Sequence, residues 1–151
     1  MTRTPQTTPA EVAFTEELPT RLRLAIMRLA RRLRQQSEPD MTPSMLSAMA
    51  SIEYRQPVTL GHLAEAERVT PPTMSKIVGR LEEAGLVTRM VDVADRRIQR
   101  VSLSPDGAKL IDRNRSRKNA YLARKLRRLE SEEVSKLEEA VGVIEKLLED
   151  K

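Results

Sequence analysis

Along one stretch of this 151-residue chain stand two hydroxyls, a pyrrolidine and two cations, at Thr70, Pro72, Thr73, Lys76 and Arg80, and further on Asp95, Arg96 and Arg97 come together. The hydroxyls and cations among them donate hydrogen bonds to oxyanions and to the polar edges of rings. They break no bonds by themselves. Nor does the rest of the sequence offer a reactive constellation: it has no cysteine, a single histidine, His62, and no glycine-rich phosphate loop. No catalytic residue, cofactor or metal site is therefore expected, and His62 reads as a packing or capping residue. Without cysteine, thiol-based redox sensing is excluded.

The elements that must position these groups follow from cap and period. Thr70 is a candidate N-cap, and Pro71 suits the first helical position because its missing N–H would have had no partner there. Met74, Ile77, Val78 and Leu81 then recur at i, i+3, i+4 and i+7, an inward stripe that leaves Thr73, Lys76 and Arg80 on another face, with Ser75 off its centre. Gly85 can close the helix in a left-handed conformation, with Leu86 touching Leu81. From Leu86 the period changes to two: Val87, Met90, Val91 and then Val101 and Leu103 predict two strands around the polar residues 92–97. Upstream, Thr59 can cap a short helix holding Leu60, Leu63 and Ala64 inward, and Glu67, Arg68 and Val69 turn the chain into the next helix. The pattern is a helix-turn-helix followed by a wing.

Composition agrees with a helical protein. Residues are 39% hydrophobic but only 2% aromatic, so the core must be built from Leu, Ile, Val, Met and Ala, unlike the aromatic and β-branched strands of most sandwiches. Net charge is +5, unevenly distributed: residues 130–151 hold three lysines against eight acidic residues, a balance of −5, which leaves +10 for the remainder. A basic body with an acidic tail points to a polyanionic partner. No apolar run is long enough to cross a membrane and there is no signal-peptide pattern, so a cytoplasmic protein without membrane contact is expected.

These motifs resemble the multiple-antibiotic-resistance regulator (MarR) family of winged-helix transcription factors. The resemblance is carried by TLGHLA at 59–64, TPPTMSK at 70–76, RLEEAGLV at 80–87, the wing at 92–97 and VSLSPDG at 101–107. Val93 stands where the family often has proline, and Ala94 replaces a polar residue near the tip. The resemblance implies a fold that is mainly α with a small β-hairpin wing, a winged helix-turn-helix with N- and C-terminal dimerisation helices. It places Arg96 in a DNA minor groove, with Asp95 and Arg97 holding the hairpin and Arg97 as substitute if the register slips. It also implies that small lipophilic or phenolic anions bind between the two lobes, here drawing on Arg28, Arg31, Met45 and Met49. The helical spacing of the two methionines equally predicts plain core packing.

The flanks divide accordingly. Residues 1–17, rich in Thr and Pro, are expected to form a flexible arm, which either tracks DNA through Arg3 or docks Val12 and Phe14 on a partner subunit; residues 18–37 and 105–151 a helical dimerisation region; and residues 41–104 the DNA-binding domain. Pro19 is expected to open the first helix, Thr42 and Pro43 the second, Ser104 and Pro105 a long rod, and Ser131 a last helix. Val134, Leu137, Val141, Ile144 and Leu148 repeat along that last helix at coiled-coil spacing. By charge and shape, Lys76 and Arg80 can reach guanine O6 and N7 or phosphates, Thr73 and Pro72 can rest on a thymine methyl, and Arg89 and Arg100 on the strands can reach phosphates. Asp92 is expected to pair with a basic residue of the recognition unit. The expected function is a homodimeric, sequence-specific double-stranded DNA-binding regulator, a repressor on a palindromic operator, released by a small molecule. The alternatives are a non-specific architectural DNA-binding protein and a helical adaptor.

Overall fold

A computed structural model describes residues 15–149. The expected arm, with Val12 and Phe14, lies outside the described residues except at its very end. The backbone divides after Arg32 into two compact units.

The first helix, α1 (Glu17–Arg34), begins two residues before Pro19, with the Leu18 N–H bonded to the Thr15 carbonyl, so the proline lies within the first turn. None of its residues is buried.

The second unit is built from α2 (Pro43–Arg55), β1 (Val58–Thr59), α3 (Leu60–Glu67), α4 (Pro71–Glu83), β2 (Val87–Val91), β3 (Gln99–Leu103), α5 (Pro105–Leu126) and α6 (Ser131–Leu148). Four of its five helices start as the sequence dictates. The hydroxyls of Thr42, Thr59, Thr70 and Ser104 accept the N–H groups of Met45, His62, Thr73 and Gly107, and a proline follows three of these caps. The fifth differs. At α6 the cap is Glu130, whose side chain and backbone exchange hydrogen bonds with Glu133 in a capping box, and Ser131 is the first helical residue.

The sheet has three strands in the order β1-β3-β2, all antiparallel. The two longer strands are the expected hairpin. The third is two residues long, fixed by buried Val58 opposite Val101 and by the Gln56 Oε1, which accepts the Leu103 N–H at 2.9 Å.

One core joins these pieces. Met49, Ile52, Leu63, Met74, Val78, Leu81 and Val101 are all 0% exposed, bringing α2, α3, α4 and β3 onto a shared centre. No aromatic side chain is buried among the described residues; Tyr54 is exposed and Tyr121 half-buried. Beyond Asn114 no residue of α5 is buried, as the sparse apolar spacing of a solvent-bridging rod predicts.

Candidate nucleic-acid interface

The helix α4 presents its two faces as the sequence requires. Met74, Val78 and Leu81 are buried, whereas Thr70, Pro72, Thr73, Ser75, Lys76 and Arg80 are exposed. The Thr70 and Thr73 hydroxyls are 2.9 Å apart and bonded to one another, so the first turn offers a paired hydroxyl unit. Among the described residues, ion pairs form at Arg89, Arg97, Arg100, Arg113, Arg115, Arg117 and Lys136, and not at Lys76, Arg80 or Arg96.

The end of α4 fixes where the wing begins. Gly85 has φ +72°, its N–H bonds the Glu82 carbonyl at 2.9 Å, and the Leu86 N–H reaches back to the Leu81 carbonyl at 2.9 Å. This is the six-to-one and five-to-two pairing of a Schellman stop, with Leu81 and Leu86 both buried. The Ser104 hydroxyl donates to the Gly85 carbonyl at 2.6 Å and its N–H to the Leu86 carbonyl at 3.0 Å, locking the start of α5 onto the same turn. Gly107 lies against that turn so closely that a Cβ there would stand 2.0 Å from the Leu86 carbonyl oxygen.

In the wing, carboxylates brace the hairpin. Asp92 Oδ1 accepts the N–H groups of Ala94 and Asp95 at 2.8 and 3.1 Å, and its Oδ2 accepts the Arg100 Nε–H at 2.8 Å. Arg100 and the turn amides together hold this carboxyl below its usual range. Asp92 thus pairs with a basic residue of the hairpin itself, Arg100. The reason is register: residue 91 pairs with 99 across the hairpin, which sets Asp92 beside the β3 face that carries Arg100. Asp95 accepts three N–H groups of Arg97, from its backbone, Nε and Nη2, at 3.0 to 3.1 Å, and the guanidinium lowers its pKa in turn. Arg89 is bound by Glu82 Oε2 at 2.8 Å, joining the wing to the last turn of α4.

Of the tip residues, Arg97 is therefore tied back onto Asp95, and Arg96 is exposed with no acidic partner among the described residues. Of the residues expected to hold a lipophilic ligand, Met45 and Met49 are packed in the core, 7% and 0% exposed, and Arg28 and Arg31 are exposed on α1.

Sequence reasoning missed a groove beside α4. Thr42 and Ser44 at the start of α2 and Thr73, Lys76 and Arg80 of α4 line a cavity of about 460 Å³ floored by Met45 and Ile77. Thr42 and Ser44 register in the sequence only as a cap and a helix start; their proximity to α4 comes from the tertiary packing of α2. Also missed was Glu67, whose carboxylate accepts the Ser47 hydroxyl at 2.6 Å and the Ser51 hydroxyl, pinning the end of α3 to α2.

A short helix, a turn whose Arg68 is left-handed at φ 53°, a second helix with a cationic outer face and a braced hairpin define a winged helix-turn-helix DNA-binding protein. The MarR family model matches residues 41–99. The HTH-type transcriptional regulator ML2140 of Mycobacterium leprae is 35% identical over 130 residues, 85% of this chain and 91% of that protein. The chain belongs to the MarR family of DNA-binding transcriptional regulators. Among solved structures, a protein of Pseudomonas aeruginosa PA01 described as a transcriptional regulator superposes with a TM-score of 0.80 at 28% identity, covering 89% of this chain and 96% of that one. A point mutant of Staphylococcus aureus MepR bound to an oligodeoxyribonucleotide shares the fold, with a TM-score of 0.69 and 23% identity over 91% of this chain and 100% of that one.

Proposed function

We propose that the protein is a homodimeric repressor that recognises a palindromic operator, with Pro72, Thr73, Ser75, Lys76 and Arg80 of α4 in the major groove and Arg96 of the wing in the adjoining minor groove. The observation that carries this reading is the distribution of charge. Asp92 and Asp95 engage Arg100 and Arg97, so the hairpin is stiffened by its own pairs, and of the two exposed guanidinium groups at its tip only that of Arg96 lacks a carboxylate partner among the described residues. A narrow minor groove concentrates negative potential and attracts such a group.

One winged helix makes too few contacts for genomic specificity, and a two-fold pair reads half-sites about 34–36 Å apart. The helix α6 suits such pairing: none of its residues is buried, and Leu137, Val141 and Leu148 are 42%, 44% and 75% exposed along one seam. Residues 18–37 and 105–151 are assigned to this dimer, and residues 41–104 to DNA. Control by a small lipophilic ligand is part of the proposal. Its support is the family and the solved ethidium complex of MepR, which shares this fold with a TM-score of 0.61.

Selecting duplexes from a random pool tests the whole reading. An inverted repeat should emerge, bound at least ~10³-fold more tightly than random duplex. A pool that returns no repeat, with equal affinity for every duplex, means an architectural DNA-binding protein instead.

A further inference from the structure

The groove between α2 and α4 separates the two roles that Lys76 and Arg80 can play. An α-helix is about 10–12 Å across with its side chains and the major groove about 12 Å wide, so a helix seated there fills it and its flanks face the sugar-phosphate ridges. On one flank of α4, Lys76 and Arg80 converge with the hydroxyls of Thr42, Ser44 and Thr73 on the same cavity of about 460 Å³, and no acidic residue lines it. Neither cation is engaged by a carboxylate among the described residues, and Ser44 is exposed. The Thr42 oxygen accepts the Met45 N–H at 3.2 Å, which leaves its proton free to be donated outward. Two cations and donor hydroxyls around a pocket without acceptor charge match a tetrahedral phosphate oxyanion far better than the flat, mixed donor and acceptor edge of a base pair.

We propose that this groove seats one backbone phosphate of the DNA strand bordering α4, held jointly by Lys76 and Arg80 and by the Ser44 and Thr42 hydroxyls of α2. The inference rests on α4 lying in the major groove. It assigns Lys76 and Arg80 to positioning, leaves base discrimination to the first turn of α4 around Pro72 and Thr73, and adds α2 to the DNA interface. Because both cations share one phosphate, they count once in the release of counterions.

Fluorescence anisotropy across a salt series, on a duplex selected by the wild type and on a scrambled duplex of equal length, tests it. The variants are Lys76→Ala with Arg80→Ala, and Ser44→Asp. The second places an acid in the first turn of α2, where the helix dipole favours it, so folding is preserved. Each variant should weaken both duplexes by the same factor, about ten- to hundredfold, with the ratio between them unchanged. The slope of log affinity against log salt should become shallower by about 0.9 in the double variant, the value for one phosphate, instead of about 1.8. Loss confined to the selected duplex would assign the cations to bases, and wild-type binding by Ser44→Asp would remove α2 from the interface; either overturns the seat. Calorimetry with inorganic phosphate separates the two sources of the oxyanion: a DNA seat leaves millimolar free phosphate unbound, and saturation there would overturn the assignment in favour of a small phosphorylated ligand. If the pool yields no preferred sequence, the operator reading fails while scrambled duplex still tests the seat. A wild type that binds no duplex overturns both.

Discussion

Gly107→Ala should destabilise the protein even though alanine is the better helix former. The glycine lies in the first turn of α5, where its absent Cβ would meet the Leu86 carbonyl oxygen at 2.0 Å and its carbon at 3.0 Å. Those atoms are backbone, and the oxygen already accepts the Ser104 N–H at 3.0 Å, so neither can rotate aside as a flexible side chain would. Forcing extra volume into a packed site costs about 1–3 kcal/mol, and the gain in helix propensity returns about 1. A 2.0 Å approach to fixed backbone puts the cost at the upper end of that range, so the net loss is about 2 kcal/mol, a fall in Tm of roughly 4–8 °C for a chain of this size. Gly79→Ala is the matched control: it lies mid-helix in α4, nothing stands within 4 Å of its added carbon, and Tm should rise by about 2–4 °C. Both are read by thermal denaturation at one protein concentration, because the Tm of any associating protein depends on it. Gly107→Ala melting at or above the wild type, or moving together with Gly79→Ala, would refute the reasoning.

Arg96→Ala should weaken DNA binding about tenfold or more while leaving the melting temperature unchanged; Arg97→Ala should also loosen the wing, since it frees Asp95, and hydrogen exchange at the tip separates the two. Glu67→Ala leaves the Ser47 and Ser51 hydroxyls without their acceptor and should cost about 1–2 kcal/mol, whereas Glu67→Gln, which keeps one acceptor, should cost less in urea denaturation. The wing carboxyls titrate below their ordinary value of 3.8, so the order they confer is complete above that pH and is lost only as pH falls through the lower folded value. Wing amide shifts followed by NMR should therefore titrate with a midpoint below 3.8, and a midpoint at or above it would refute the bracing. Val141→Glu on α6 should yield a monomer by light scattering, with operator affinity falling more than affinity for random duplex.

Much of the DNA-binding unit was legible because local chemistry and tertiary fold agree there. Threonine or serine followed by proline marked the starts of α2, α4 and α5, and each hydroxyl makes the bond its type implies. Gly85 before Leu86 announced the end of α4, since only a left-handed residue lets Leu86 turn back onto Leu81. What escaped depends on residues far apart in the chain. The strand β1 is too short to show a period, and its pairing is dictated by β3 across more than forty residues. Glu130 outcompeted Ser131 as a cap because Glu133, three residues on, completes a box with it. Met45 and Met49 carried two meanings in sequence, core or ligand pocket, and both side chains are buried in the core. Thr42 and Ser44 reach α4 only through the packing of α2, which no spacing within α4 reveals.

The contact among Gly85, Leu86, Ser104 and Gly107 welds three things at one spot: the tail of α4, the root of the wing and the head of α5. At 22 residues, α5 is about 33 Å long. A stiff bar fixed at one end acts as a lever, so tilting the welded lobe by about 5° sweeps the far end through roughly 3 Å, and a push of that size at the far end turns the lobe by the same angle. Small displacements around Leu126 thus reach α4 and the hairpin together, as one rigid rotation and not as separate adjustments.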